Sequence, residues 1–221
     1  MASGRFKELL RELYGKLWEA FGPQGWWPGE TPLEVALGAI ITQNTNWTNV
    51  ARVLAGLKAD GLLNPRALRE MPPDELARRL KAAGYYNLKA QRVRNFLTFL
   101  AQRAQDSMAL LAQDDLEALR PALLGIKGIG PETADSILLY ALNKPTFVVD
   151  AYTFRILSRH YLIGETCSYE ELRRLFMDHL PEEVPLYQEF HALLVRLGKE
   201  YCRPRPRCVS CPLNEWPHRE E

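Results

Sequence analysis

The segment with the clearest capacity for chemistry is a glycine-rich turn between two amphipathic stretches. It reads Leu-Gly-Ile-Lys-Gly-Ile-Gly-Pro over residues 124–131. Gly128 and Gly130 can adopt positive φ, which lets the backbone approach a bulky ligand, and Pro131 suits the first turn of a following helix. We expect this hairpin, with Lys127 beside it, to direct backbone N–H groups at a phosphodiester without reading base sequence. The alternative is a tight interhelical turn that needs glycine for its geometry alone.

A carboxylate follows the hairpin at a position where it should be partly desolvated. Asp150 comes directly after the largely apolar residues 146–149. If Asp150 opens a helix, the helix dipole helps to keep its carboxylate ionised. It is then either an N-cap alone or an N-cap that also does chemistry.

Three of the four cysteines lie within the last twenty residues, at positions 202, 208 and 211. Four cysteines in 221 residues do not make a disulfide scaffold. In a cytosolic chain such crowding indicates a metal site rather than disulfides.

The elements that position these residues are predicted to be helices. Apolar residues recur at spacings of three and four, and Ser168 with Glu171 fits a capping box. The best strand candidate is residues 146–149, and it has no partner of similar character. We therefore expect about ten helices and no substantial sheet. The periodic stretches are residues 5–21, 32–43, 47–58, 88–103 and 185–201.

Length and composition narrow the class of protein. The 221 residues allow one large domain or two small ones, and 47% hydrophobic with 25% charged residues excludes disordered and collagen-like chains. No apolar run is long enough to cross a bilayer. The charged, amphipathic start has no secretory core, so we expect a cytoplasmic protein with no membrane partner.

The net charge of +1 conceals a segregated distribution. Basic residues without intervening acids fill the stretch between Glu75 and Asp106, and a second basic run covers 196–207, whereas acids gather at 165–189. Such a chain can present a positive face to a polyanion. The alternative is a set of solvated helix faces.

Taken together, the motifs resemble the endonuclease III superfamily of helix-hairpin-helix DNA glycosylases. The hairpin, the segment 147–156, the stretches 41–45 and 84–90, and the cysteine tail follow the family's order over residues 30–213. The resemblance implies an all-α fold of two helical domains with a cleft between them. A barrel-like domain of residues 32–140 would carry the hairpin, and residues 1–31 with 141–221 would form the second domain, including a cysteine loop at 202–211.

The resemblance also implies function. Double-stranded DNA containing a damaged base would lie across the cleft, with the target base flipped out, and the protein would act as a monomer, associated with the nucleoid if bacterial. Asp150 matches the catalytic aspartate, which stabilises positive charge on the sugar and activates water. Members that also cleave the strand carry a lysine in the first turn after the hairpin, and Glu132 stands there instead. A carboxylate cannot form a Schiff base, so we predict a monofunctional glycosylase of base excision repair in which Glu132 assists catalysis or contacts the base.

Aromatic residues suggest the substrate. Trp26, Trp27, Pro28 and Trp47 resemble the bacterial 3-methyladenine DNA glycosylase branch. Alkylated purines are cationic, and a cation over indole gains about 0.5–2 kcal/mol. The alternative role for these tryptophans is core or interface packing. The alternative functions are removal of oxidised or mismatched pyrimidines, and DNA binding without catalysis.

Gln43 and Tyr85 lie where the family inserts side chains into the gap left by the extruded base. Filling that gap offsets an unstacking cost of a few kcal/mol. Tyr85 departs from the aliphatic wedge of the family, although an aromatic ring also stacks on bases.

The cysteine tail resembles the superfamily's iron–sulfur loop, with the pattern C-x6-C-x2-C-x5-C. Here the first gap is five residues, Pro217 occupies the fourth position and His218 follows. The resemblance implies a structural [4Fe–4S] cluster, and histidine can serve in iron–sulfur chemistry. Zinc bound by three cysteines and a histidine, or no metal, are the alternatives. The predicted ligands are Cys202, Cys208, Cys211 and His218.

Overall fold

The fold is all-α, as the hydrophobic periodicity predicts. The computed structural model describes residues 2–219, with side chains from residue 4 onwards. Met1, Glu220 and Glu221, which the predicted second domain includes, lie outside the described residues. Within residues 2–219 there are twelve α-helices and no β-strand. The helices are α1 (Ala2–Phe21), α2 (Pro32–Ile41), α3 (Trp47–Ala59), α4 (Pro65–Glu70), α5 (Pro73–Arg79), α6 (Tyr86–Ala104), α7 (Met108–Leu111), α8 (Leu116–Leu124), α9 (Pro131–Ser136), α10 (Ala151–Arg159), α11 (Tyr169–His179) and α12 (Val184–Glu200).

Helix boundaries follow the local sequence signals. The predicted capping box is confirmed, because the Ser168 side chain accepts from the Glu171 backbone N–H while the Glu171 side chain accepts from that of Ser168. Pro131 occupies the first turn of α9, and a π-helical turn at Ile137–Ala141 continues it. None of the helices within the described residues is long and apolar enough to cross a membrane.

The chain divides into two compact units. One unit is Trp27–Lys144, and the other contains the chain up to Trp26 and from Pro145 onwards. The domain limits of 32 and 140 expected from the family resemblance stay a prediction. In the unit Trp27–Lys144, α2 is buried from Leu33 to Ile41, and all of these residues except Glu34 are apolar or glycine, which is typical of a helix that is covered on all sides.

The strand candidate at residues 146–149 is extended but has no strand partner. Its apolar side chains are covered by helices instead. Phe147 stacks on Phe176 of α11 with ring centroids 3.8 Å apart, and packs edge-on against Tyr187 and Phe190 of α12. This packing anchors the backbone immediately before Asp150.

Candidate active site

The predicted hairpin is formed by α8, the turn 125–130 and α9. Gly128 has φ +95°, as predicted for a residue that must be glycine. A Cβ at Gly128 would lie 2.5 Å from Cγ of Arg92. Gly130 does not adopt positive φ; it is extended at φ −92° as the N-cap of α9, and a Cβ there would meet no atom within 4 Å. Gly130 therefore leaves open space in front of the first turn of α9.

Gln43 fastens the end of α2 to this hairpin. Its Nε2 donates to the Gly128 carbonyl oxygen at 3.2 Å and to Thr133 Oγ1 at 2.8 Å, and its Oε1 accepts from Nη1 of Arg92. Asn95 Nδ2 donates to the Lys127 carbonyl oxygen at 2.9 Å. The turn is thus held by side chains of its own unit, and Gln43, predicted to enter DNA, takes part in that support.

Tyr85 lies at the surface in a conformation that is rare for a non-glycine residue. Its φ is +43°, it immediately precedes α6, and 71% of it is exposed. An exposed aromatic side chain on a constrained backbone suits the predicted stacking role.

Asp150 is the N-cap of α10, so the predicted N-cap is confirmed. Its Oδ1 accepts from the backbone N–H of Thr153 at 2.7 Å and from Thr153 Oγ1 at 2.9 Å. Its Oδ2 lies 3.6 Å from Nε2 of His191 in α12, and its side chain is 11% exposed. Burial acts to raise the pKa of Asp150, but the contacts with His191 and Thr153 outweigh burial and hold the pKa below its usual value.

Glu132 lies in the first turn of α9 and is exposed. Its unit is Trp27–Lys144, whereas Asp150 belongs to the other unit. Glu132 thus occupies the position where the family resemblance implies a lysine in members that also cleave the strand.

The predicted base-pocket residues fall into two groups. Trp27 contacts Trp47 edge-on with ring centroids 5.4 Å apart, and Tyr140 at 4.9 Å. Gly38 permits this packing, because a Cβ there would lie 3.0 Å from Cη2 of Trp47. Pro28 is exposed. We call Trp27, Trp47 and Tyr140 the aromatic cluster.

Trp26 belongs to the same unit as Asp150. Its ring centroid is 6.3 Å from that of His191, and Nζ of Lys199 lies 5.0 Å from the Trp26 ring centroid. A cation therefore already lies over this indole in the structure.

The sequence profile of the HhH-GPD superfamily of base excision DNA repair proteins matches residues 37–182. The chain belongs to this superfamily. It is a DNA repair glycosylase, and the matched residues include the hairpin, the aromatic cluster members Trp47 and Tyr140, and Asp150.

Among superfamily relatives, a protein of Methanocaldococcus jannaschii named as a candidate DNA repair glycosylase is 42% identical over 210 residues, covering 95% of this chain and 96% of the relative. A crystal structure of the H. pylori 3-methyladenine DNA glycosylase bound to 1,N6-ethenoadenine has a TM-score of 0.76 at 29% identity, over 88% of this chain and 97% of that chain. An endonuclease III–DNA complex has a TM-score of 0.81 at 20% identity, over 97% and 95% of the two chains, and supports the fold alone.

The cysteine loop lies beyond the residues that the superfamily profile matches. Its four predicted ligands line one cavity of about 320 Å³, a volume that includes space open to solvent. His160 and Arg159 line the same cavity, and Nη1 of Arg159 donates to Sγ of Cys202 at 3.4 Å. Burial raises the pKa of Cys211, and the neighbouring thiols of Cys202 and Cys208 raise it further. Among the described residues, no three His, Cys, Asp or Glu side chains lie close enough to share one metal ion.

Several residues of these sites carry no local sequence signal strong enough to predict them. His191 is a lone histidine within an apolar helix stripe, and Tyr140 reads as core. Thr153, by contrast, follows Asp150 by three residues, which is the spacing of an N-cap and the residue it caps. His160 carries no such signal either, and Arg92, which belongs to the predicted basic stretch, contacts Gln43.

Proposed function

We propose that this glycosylase is monofunctional and hydrolyses the N-glycosidic bond of a flipped, alkylated purine such as 3-methyladenine in double-stranded DNA. The observation that carries the proposal is the Asp150 carboxylate, which is 11% exposed yet held ionised by Thr153 and His191. We expect the enzyme to be cytoplasmic, associated with the nucleoid if bacterial, and to act as a monomer.

The chemistry needs an anion beside the sugar. When the bond from C1′ to the base nitrogen breaks, its electron pair leaves with the base and positive charge develops on the deoxyribose. Asp150 stabilises that charge, and water then adds to C1′ and loses a proton. The products are a free base and an abasic site. Glu132 offers no amine, so no covalent adduct with the sugar forms.

The substrate class rests on the aromatic residues. An N-alkylated purine is cationic before the bond breaks and leaves as a neutral base, so it needs little help from a general acid. Electron-rich indole and phenol rings attract such a cation by about 0.5–2 kcal/mol. Trp27, Trp47 and Tyr140 provide three such rings, with Trp27 in contact with each of the other two. The resemblance to a 3-methyladenine glycosylase structure at 29% identity supports the same class.

The test is an excision assay on methylated duplex DNA, scored for released 3-methyladenine and 7-methylguanine. We expect wild-type protein to release base and to give strand breaks only after alkali. Asp150→Asn should lower the release rate by at least about 100-fold and retain DNA affinity, whereas Asp178→Asn, an exposed aspartate in the same unit, should leave the rate unchanged.

Three results would contradict parts of this proposal. Nicking without alkali, with an adduct trapped by borohydride, would establish a strand-cleaving mechanism. Release from duplexes with oxidised or mismatched pyrimidines, and not from methylated DNA, would reassign the substrate. DNA binding with no release from any duplex would leave a non-catalytic binding protein.

We also propose that Cys202, Cys208, Cys211 and His218 hold a [4Fe–4S] cluster. Three thiols line one cavity with an arginine N–H directed at a cysteine sulfur, a contact that tunes iron–sulfur centres. Nδ1 of His218 lies 2.6 Å from the Trp216 carbonyl oxygen. If Nδ1 carries the proton, Nε2 is left to bind metal. The cluster's contribution would be structural, holding a loop that carries Arg203, Arg205 and Arg207.

Iron and sulfide content per chain, with the visible absorption spectrum, tests this site. His218→Ala should lower the iron content, while Cys167→Ser, at a cysteine that does not line the cavity, should not. His160→Ala is the matched comparison, because its Nδ1 lies 3.1 Å from the Pro217 carbonyl oxygen in the same way. If His160→Ala loses iron and His218→Ala does not, the fourth ligand is His160. If the protein contains stoichiometric zinc or no metal, the proposal of an iron–sulfur cluster is wrong.

A further inference from the structure

The Asp150 carboxylate is held by two helices that are distant in sequence. Thr153, in the first turn of α10, binds Oδ1 through its backbone N–H and its hydroxyl. His191, near the middle of α12, lies against the other oxygen, with 3.6 Å between Nε2 and Oδ2. The carboxylate therefore has a defined orientation rather than free rotation about its last bond.

His191 occupies a costly place for a polar side chain. It is 4% exposed, and Phe190, Leu193 and Leu194 beside it on α12 are fully buried. Burying an imidazole among such residues is unfavourable unless it gains a hydrogen bond or an ionic contact. An apolar side chain would pack in this stripe without the cost of burying a polar group. Packing alone therefore does not account for a histidine at position 191, whereas its contact with Asp150 does.

The other charged groups around this pair are directed elsewhere. Arg155 of α10 donates to the carbonyl oxygens of Cys202 and Gly198. Glu189 of α12 accepts from the Gln24 backbone N–H at 2.6 Å, and Lys199 lies over the ring of Trp26. Among the residues that the structure describes, His191 is thus the ionisable side chain that contacts the carboxylate, at 3.6 Å.

We propose that His191 is a positioning residue of the glycosylase reaction: its Nε2, which lies 3.6 Å from Oδ2 of Asp150, keeps the carboxylate facing the sugar in one orientation and in its ionised form. This inference rests on the function proposed above. A carboxylate held in one orientation presents its charge to the developing oxocarbenium ion without first having to reorient. The lowered pKa of Asp150 agrees with a donor at this place.

Two variants of nearly equal shape separate positioning from packing. His191→Gln keeps an N–H donor at about the reach of Nε2, and His191→Met removes the donor while filling the same space. We expect His191→Met to lower the single-turnover rate of base release by about tenfold or more, with unchanged affinity for lesion duplex, and His191→Gln to restore most of that rate. His179→Met, at a histidine of α11 that binds the Leu175 carbonyl, is the control and should leave the rate unchanged.

The pH dependence of the base-release rate separates positioning from packing, because a residue that only packs would not shift it. Removing a donor from a carboxylate raises its pKa, so the acid limb of the rate profile should move to higher pH in His191→Met and return in His191→Gln. If both variants lose equal activity with no movement of the acid limb, His191 serves packing and the inference is wrong.

A measurement independent of activity separates this inference from the proposed function. Asp150→Asn and His191→Met, alone and together, form a double-mutant cycle on the unfolding equilibrium, and direct contact predicts non-additive effects. Non-additivity in a protein that releases no base from any duplex would confirm the pair while removing the enzymatic role. Additive effects in an active enzyme would overturn the positioning role and leave the proposed function standing.

Discussion

At the scale of single residues, Asp150 illustrates how a buried carboxylate is kept ionised. Burial penalises the charged form, and the hydrogen bonds from Thr153 together with the contact with His191 more than offset that penalty, so the pKa is lowered. A lowered folded-state pKa contributes stability that is present above the unfolded pKa of about 3.9 and is lost as pH falls through the folded value.

This sign leads to a prediction about acid stability. Asp150→Asn keeps an N-cap acceptor but does not titrate. We expect the unfolding free energy of the wild type to fall relative to Asp150→Asn as pH drops below about 4, as measured by urea unfolding at several pH values. A difference between the two proteins that stays constant from pH 7 to pH 3 would contradict the ionised carboxylate.

At the scale of elements, the two hairpin glycines serve different purposes. Gly128→Ala meets both a positive φ and Cγ of Arg92 at 2.5 Å, so we expect destabilisation of about 1–2 kcal/mol or more. Gly130→Ala has extended backbone and open space, so stability should be nearly unchanged.

The matched pair also tests what the hairpin binds. If a phosphate approaches the first turn of α9, the added methyl of Gly130→Ala should weaken DNA binding about equally for all base sequences, with the melting temperature unchanged. Titration of undamaged duplexes of different sequence measures this effect. Unaltered affinity would make Gly130 a residue of the turn geometry only.

The elements also explain which parts were predictable from sequence. Long helices such as α6 and α12 were predictable, because each buries one stripe of side chains and therefore repeats apolar residues with the helical period. Segment 146–149 read as a strand candidate because β-branched apolar residues suit burial in either setting, and packing by α11 and α12 decided the outcome. The N-cap at Asp150 was predicted from its local context, whereas His191 required a contact across 41 residues of sequence that periodicity does not encode.

At the scale of the whole molecule, charge segregation along the chain only partly survives in three dimensions. The basic stretch between Glu75 and Asp106 contains Arg79 and Arg103, which pair with Asp60 and Asp114 from outside it. In the fold, acidic residues from outside this stretch therefore lie beside two of its arginines. In the cysteine loop, by contrast, the arginines at 205 and 207 are exposed.

The salt dependence of DNA binding distinguishes the two basic regions. Each arginine that contacts a phosphate contributes about 0.9 to the slope of log K against log salt, because it releases a condensed counterion. We expect Arg205→Gln and Arg207→Gln each to lower that slope by up to about 0.9, and Arg79→Gln and Arg103→Gln to leave it unchanged, since their charges are already paired within the protein. Fluorescence titrations of one duplex over a range of salt concentrations measure these slopes. Slopes equal to that of the wild type in all four variants would exclude the loop arginines from the DNA interface. A lower slope for Arg79→Gln and Arg103→Gln alone would assign the phosphate contacts to the stretch between Glu75 and Asp106.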